Sequence, residues 1–79
     1  MSFTVQWEPS GEAALKRLPS WKEAARVSRA VLDLATTGVG TIERGTGTFR
    51  LIVTPYVVGF TIDPSAQTLL VWSVYERNK

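Results

Sequence analysis

The sequence TFRLIVTPYVVGFTID, over residues 48–63, has the strongest bearing on the fold. β-Branched and aromatic residues, which favour strands, dominate it. Pro55 interrupts the run in a way that is typical of a tight turn, so two strands are predicted, over Thr48–Thr54 and Tyr56–Asp63. The turn sequence DPSAQ follows, and a third strand is predicted over Thr68–Tyr75. Strands joined by such short turns predict an antiparallel sheet.

The N-terminal segment predicts one more strand and a short helix. Apolar residues alternate with polar ones at its start, which indicates a half-buried strand. The apolar positions are Phe3, Val5 and Trp7. Pro9 ends this strand, and Ser10 is placed to cap a helix that begins around Gly11. Pro19 then ends the helix.

A longer second helix starts at a capping box. The sequence SWKE over residues 20–23 has the S-x-x-E pattern, in which serine and glutamate side chains cap the first turn. Apolar residues then recur every three or four positions, which predicts one buried face. They are Ala24, Val27, Val31, Leu34 and Ala35. Gly38 suits the position just past the helix end. Residues 36–47, rich in Gly and Thr, are expected to form a flexible connection.

The order of elements predicts the fold class. It is β-α-α-β-β-β, an α+β arrangement in which the N-terminal strand and the helical hairpin pack on one face of an antiparallel sheet. A chain of 79 residues allows one hydrophobic core. A single domain over residues 1–79 is therefore expected.

Alternation along the strands sorts the sheet into two faces. The face that packs on the helices is predicted to carry Phe49, Leu51, Val53, Val58, Phe60, Ile62, Leu70, Trp72 and Val74. The opposite face, called the open face below, is predicted to carry Arg50, Tyr75 and Arg77. Gly59 lies in the middle of its strand and leaves a dip in the open face because it has no side chain.

The residue types that are absent exclude several kinds of site. The chain has no Cys and no His, so disulfides, cysteine or histidine zinc sites and nucleophilic Cys or Ser–His arrangements are excluded. Catalysis is left to carboxylates, Tyr, Lys, Arg or the backbone, and no metal or other cofactor is expected. A net charge of +2 permits an RNA partner without requiring one. No membrane span or secretory signal is recognisable, so a cytoplasmic location is expected.

The C-terminal strands resemble the RelE/ParE superfamily of toxins. In that pattern an aromatic–basic–aliphatic strand, here Phe49–Leu51, precedes a strand that begins with a tyrosine, here Tyr56, and ends near an acid, here Asp63. The last strand then runs into a basic residue, here Arg77. The resemblance spans residues 3–77. It implies an antiparallel sheet with a helical hairpin, growth inhibition, and neutralisation by a partner antitoxin.

Members of this superfamily differ in their target. RelE-like members cleave mRNA on the ribosome with basic residues and often a C-terminal tyrosine, whereas ParE-like members act on DNA gyrase. Arg50 and Arg77 match two basic positions of the RelE-like site. Ile52 and Val57 stand where further basic residues are usual. The chain ends at Lys79, before the place of the terminal tyrosine.

Five residues are candidate site residues, of which Arg50 and Arg77 are the two that match positions of the RelE-like site. Arg50, Arg77 and Tyr75 are the candidate catalytic residues, and Arg44 and Tyr56 are candidate substrate-binding residues. Arginine binds phosphate through two parallel hydrogen bonds, so the two catalytic arginines suit a phosphate clamp. Neither suits a general base, because arginine does not readily lose a proton.

Three functions stay open at this point. The first is a RelE-like toxin whose ribosome-dependent mRNA cleavage is weakened by the missing groups. The second is a ParE-like, non-nucleolytic inhibitor of gyrase, which Val57 favours. The third is an inactive interaction module. Either toxin would bind a cognate antitoxin, and the cations on the helices predict that this partner supplies an acidic segment.

Overall fold

The computed structural model describes residues 2–77. Its elements, in chain order, are β1 (Thr4–Trp7), α1 (Pro9–Lys16), α2 (Trp21–Thr37), β2 (Thr41–Arg44), β3 (Phe49–Val53), β4 (Tyr56–Asp63) and β5 (Thr68–Glu76). The last three strands agree with the predicted ones to within one residue at each end. Lys79, on which the comparison with the terminal tyrosine depended, lies outside the described residues.

All five strands form one sheet, in the order β1-β5-β4-β3-β2. β3, β4 and β5 pair antiparallel, as predicted, and β2 adds to them as an unpredicted strand, antiparallel to β3. β1 instead lies parallel to β5 at the edge of the sheet. A parallel pair needs a long connection, and the helices and hairpins between β1 and β5 provide it. Both helices contribute to the core on one face of the sheet, so the predicted α+β class is confirmed.

β2 lies inside the segment that was expected to be a flexible connection. It pairs with β3, which sets Glu43 opposite Arg50. The turn between the two strands contains Gly47 at a φ of 72°, a conformation that glycine adopts without strain. All four residues of β2 are exposed. A strand without a buried face lacks the alternation by which the other strands were recognised, so it was missed.

A β-bulge interrupts the pairing of β4 with β5. Phe60 pairs with Val71, whereas the preceding residue, Gly59, pairs with Ser73. Trp72 is therefore an extra residue on β5. One inserted residue reverses the alternation of side chains on one side of the bulge.

The bulge explains why two residues of β5 were wrongly predicted to lie in the core. Leu69 and Val71 are buried in β5, and Leu70 is only half-buried. Trp72 is 39% exposed. The prediction that Leu70 and Trp72 belong to the core is wrong, because it extended one alternation through the inserted residue.

α2 has the predicted signals at both ends. The main-chain N–H of Glu23 donates to the Ser20 hydroxyl at 3.3 Å, and Gly38 ends the helix in the left-handed conformation, at a φ of 79°. The buried residues of α2 are Val27, Val31, Leu34 and Ala35, and they pack on the sheet. Neither helix within residues 2–77 combines the length and the apolar character that crossing a membrane requires.

α1 packs closely on the bulge. The helix begins at Pro9 with Glu8 as its N-cap, so Ser10 is not the cap that was predicted. The Ser10 hydroxyl instead donates to the main-chain carbonyl of Trp72 at 2.9 Å. Gly11 is buried there, and a Cβ at its position would lie 2.7 Å from the carbonyl oxygen of Val71. The glycine thus permits the close approach of helix and strand.

Candidate functional site

Three of the five predicted site residues come together on the open face. Arg50 is exposed on β3, opposite Gly59 of β4. Tyr75 is exposed on β5, opposite Val57. Arg77 follows β5 directly, and its guanidinium reaches the open face of β2. The predicted placement of Arg50, Tyr75 and Arg77 is confirmed, and their catalytic roles stay predictions.

Glu43 of β2 holds Arg77 through two hydrogen bonds. Nη2 of Arg77 donates to Oε1 of Glu43 at 3.0 Å, and Nη1 donates to Oε2 at 3.3 Å. Glu43 is also the cross-strand partner of Arg50. One carboxylate therefore interacts with two guanidinium groups. Glu43, Arg50, Tyr75 and Arg77 are called the arginine cluster below.

The arginines keep Glu43 ionised. The hydrogen bonds from Arg77 are the largest cause of a pKa of Glu43 below its ordinary value of 4.5, and the charges of Arg77 and Arg50 lower it further against an opposing effect of desolvation. The pKa of Arg77 is raised, first by its hydrogen bonds with Glu43 and to a smaller extent by Tyr75. With two guanidinium groups and one carboxylate, the cluster carries one net positive charge at pH 7.

A pocket of about 410 Å³ lies beside Arg77. It is lined by Ile52, Thr54, Pro55, Tyr56, Val57 and Arg77. The main-chain N–H of Arg77 donates to the carbonyl of Pro55 at 2.8 Å, which fixes the chain after β5 at the turn between β3 and β4. Val57 is fully buried but lies outside the main core cluster. Apolar groups therefore surround a single cation in this pocket.

The other two predicted site residues lie on the helix side of the sheet. The Tyr56 ring is buried, with the Arg26 guanidinium 5.7 Å from its centre; burial and then Glu23 raise the pKa of its hydroxyl. The Arg44 guanidinium lies 5.9 Å from the centre of the Phe49 ring. Neighbouring residues of a strand point to opposite faces, so Arg44 and Tyr56 are not brought together with the arginine cluster.

The arginine cluster has the groups needed to bind a phosphodiester. Two guanidinium groups offer several N–H donors, Glu43 offers an ionised acceptor, and Tyr75 offers a hydroxyl. Glu43 is the residue that the sequence did not reveal. Its strand was predicted to be part of a flexible connection, because residues 41–44 contain one apolar residue, Ile42, and therefore show no alternation.

Comparison with known proteins gives matches among solved structures. A chain of the toxin–antitoxin complex RelBE2 from Mycobacterium tuberculosis is 25% identical, with a TM-score of 0.83 over 100% of this chain and 95% of the other. A chain of the archaeal RelE–RelB complex from Pyrococcus horikoshii OT3 is 18% identical, with a TM-score of 0.77 over 100% of this chain and 99% of the other. No family model and no curated protein matches the sequence.

Proposed function

Because the chain has the fold of the RelE/ParE toxin superfamily, we propose that it is the toxin of a toxin–antitoxin system and cleaves mRNA on the ribosome. It thereby inhibits translation in the cytoplasm as a ribosome-dependent endoribonuclease. The observation that carries this proposal is the arginine cluster, in which Arg50, Arg77 and Tyr75 meet a carboxylate on one exposed surface.

In the proposed reaction each group of the cluster has one task. The 2′-hydroxyl oxygen of the RNA attacks the adjacent phosphorus, and its proton passes to the Glu43 carboxylate. Arg50 and Arg77 bind the phosphate oxygens and stabilise the negative charge that develops on them. The Tyr75 hydroxyl donates a proton to the leaving 5′-oxygen. Arg77 releases at least one of its hydrogen bonds to Glu43 when it binds the phosphate.

The lowered pKa of Glu43 predicts a slow enzyme. A general base works best when its pKa lies near the working pH, and a well-matched one contributes ~10²–10⁴ in rate. Glu43 is far from that match, because Arg77 and Arg50 lower its pKa. In this proposal the ribosome compensates for the poorly matched base by aligning the RNA, since such alignment lowers the activation free energy by up to about 7–11 kcal/mol. Cleavage is therefore expected to depend strongly on the ribosome.

The test is mRNA cleavage in a cell-free translation reaction, with new 5′ ends mapped by primer extension. The wild type is compared with Arg50→Ala/Arg77→Ala and with Lys16→Ala/Arg29→Ala, a control that removes two exposed cations from the helices. We expect ribosome-dependent ends with the wild type and the control, and at least ~100-fold less cleavage with the cluster variant. Equal cleavage by all three proteins would show that the arginine cluster takes no part in the reaction.

A second function, inhibition of DNA gyrase by binding, is favoured by Val57. This buried apolar residue occupies the place where RelE-like members usually have arginine. Arg77 is moreover already paired with Glu43, which leaves one net positive charge for a phosphate. The discriminating measurement is the first process to stop when the protein is expressed. A halt in DNA replication before translation, without new mRNA ends, would replace the first proposal by this one.

The partner in this proposal is a cognate antitoxin. Both structural neighbours come from toxin–antitoxin complexes. The helix cations attract the expected acidic segment of the antitoxin less strongly than their number suggests. Lys16, Arg26 and Arg29 each already pair with a carboxylate of the same helix. We still propose that added salt weakens the complex. An affinity that salt does not change would contradict the acidic segment.

A further inference from the structure

The bulge in β5 places the Trp72 indole on the open face. Trp72 is the extra residue between Val71 and Ser73, and it keeps 39% of its surface exposed. Its ring lies over Gly59: a Cβ at that glycine would be 3.1 Å from Cζ2 and 3.2 Å from Cε2 of the indole. The glycine of β4 thus leaves the room that the indole occupies.

The Trp72 indole lies over β4, one strand away from Arg50 of the arginine cluster on β3. Gly59 is the cross-strand partner of Arg50, and Ser73 is the partner of Gly59 on the other side. Directly opposed residues of neighbouring strands are about 4.5–5.5 Å apart. A flat, partly exposed aromatic ring over β4 and an exposed arginine of β3 therefore lie on neighbouring strands, and the Arg50 guanidinium extends toward the β2–β3 turn, where a Cβ at Gly45 would be 3.9 Å from its Nη1.

Packing alone does not account for this position. The Ser73 hydroxyl beside the indole is a buried side-chain polar atom without a hydrogen-bond partner in the structure of residues 2–77. Covering such a group is unfavourable, so hydrophobic burial gives little reason to place an indole there. The backbone of Trp72 is held from the helix side, where the Ser10 hydroxyl donates to its carbonyl. The ring is therefore presented by a fixed backbone.

We propose that Trp72 binds RNA by stacking its indole on an unpaired base of the strand whose phosphate Arg50 holds. Every base has a flat face that can stack on an aromatic side chain, so the contact adds affinity without selecting a sequence. In a single RNA strand an unpaired base lies next to each phosphate, so one strand can stack on the indole and bind the arginine at the same time. The inference rests on the RNA substrate of the proposed function but not on its cleavage.

The test is the binding of a short single-stranded RNA to the full chain, followed by Trp72 fluorescence. Trp7→Phe/Trp21→Phe leaves Trp72 as the only tryptophan. We expect saturable quenching by the RNA. In binding measured with labelled RNA, Trp72→Ala should raise Kd roughly 10- to 100-fold, as is typical of a lost base–aromatic stack. Trp72→Phe should retain most of the affinity, which guards against a loss caused by misfolding.

Two controls separate stacking from a general loss of binding. Trp21→Ala removes a tryptophan that is 76% exposed at the start of α2, far in sequence from the cluster, and should leave Kd unchanged. An abasic oligonucleotide of the same length and charge should bind the wild type and Trp72→Ala equally. Equal weakening with both oligonucleotides, or no detectable RNA binding, overturns the inference. RNA binding that depends on Trp72 without any cleavage on ribosomes would uphold it and overturn the proposed enzyme.

Discussion

At the scale of single residues, Glu43 decides the electrostatics of the open face. It accepts two hydrogen bonds from Arg77 and faces Arg50 across the strand pair. The carboxylate reduces the positive charge available to a phosphate but holds Arg77 on the open face.

The pair of Glu43 and Arg77 makes a prediction about acid stability. The pKa of Glu43 is lowered in the folded chain, so the pair stabilises the protein above the ordinary value of 4.5 and loses this effect as the pH falls through the folded pKa. We expect Glu43→Gln to be less stable than the wild type in urea unfolding at pH 7 and equally stable in strong acid. The effect should be modest and reduced by salt, because the pair is half exposed.

Arg77→Gln is the matched control for this pair. It should destabilise the chain to a similar extent at pH 7, and the double variant should lose little more than either single variant. If Glu43→Gln were less stable than the wild type by the same amount at pH 7 and in strong acid, the carboxylate would stabilise the protein by something other than its charge.

At the scale of elements, the contact of α1 with β5 fixes the bulge. Ser10 bonds the Trp72 carbonyl, and Gly11 brings the helix backbone against Val71. The bulge in turn determines which residues of β5 are buried and which lie on the open face. A helix on one side of the sheet therefore sets the position of an aromatic ring on the other side.

Gly11→Ala tests this contact. Replacing glycine by alanine inside a helix normally stabilises it by up to ~1 kcal/mol. At Gly11 the new Cβ meets the backbone of β5 at 2.7 Å, so we expect a destabilisation of about 1–3 kcal/mol in urea unfolding. Gly45→Ala is the control, because its Cβ meets the side chain of Thr48, which can move. A gain in stability at Gly11 would contradict the close packing of α1 on β5.

At the scale of the whole molecule, the two faces of the sheet separate the main core from the candidate site. The helix side carries the main core, and the arginine cluster and Trp72 lie on the other side. A domain of this size buries a modest core, and its net stability is expected near the lower end of roughly 5–15 kcal/mol. A single large cavity in the core is therefore enough to unfold much of the protein.

The same substitution at a buried and at an exposed leucine tests where the core lies. Leu51 is 1% exposed in the core, whereas Leu32 on α2 is 53% exposed. We expect Leu51→Ala to lower the free energy of unfolding by about 2–5 kcal/mol, because it leaves a cavity. Leu32→Ala should change it by no more than ~0.5 kcal/mol. Urea unfolding of both variants gives the comparison, and similar losses would show that α2 packs with a different face.

The elements whose signals are local could be predicted from the amino-acid sequence alone. Strand propensity and Pro55 gave β3 and β4, and the capping box with Gly38 gave α2. The resemblance to RelE/ParE toxins rested on Phe49–Leu51, Tyr56, Asp63 and Arg77, and the structural neighbours confirm it. These features depend on residues a few positions apart in the chain, so neighbours in sequence suffice to predict them. Arg50 and Tyr75 reached the open face as predicted, because Arg50 lies in regularly paired β3 and Tyr75 follows the bulge, where alternation resumes. Arg77, just after β5, reaches this face through its hydrogen bonds to Glu43.

Three features depend on contacts between segments that are far apart in the sequence: the bulge, the parallel pairing of β1 and the contact of Glu43 with Arg77. The bulge exists because β4 pairs across it and α1 packs against it, and it moved Trp72 from the predicted core to the open face. Glu43 and Arg77 are 34 positions apart in the sequence, and they come into contact because β2 pairs with β3 at the edge of the sheet. Pairing energies between distant segments set these features, and no local pattern records them.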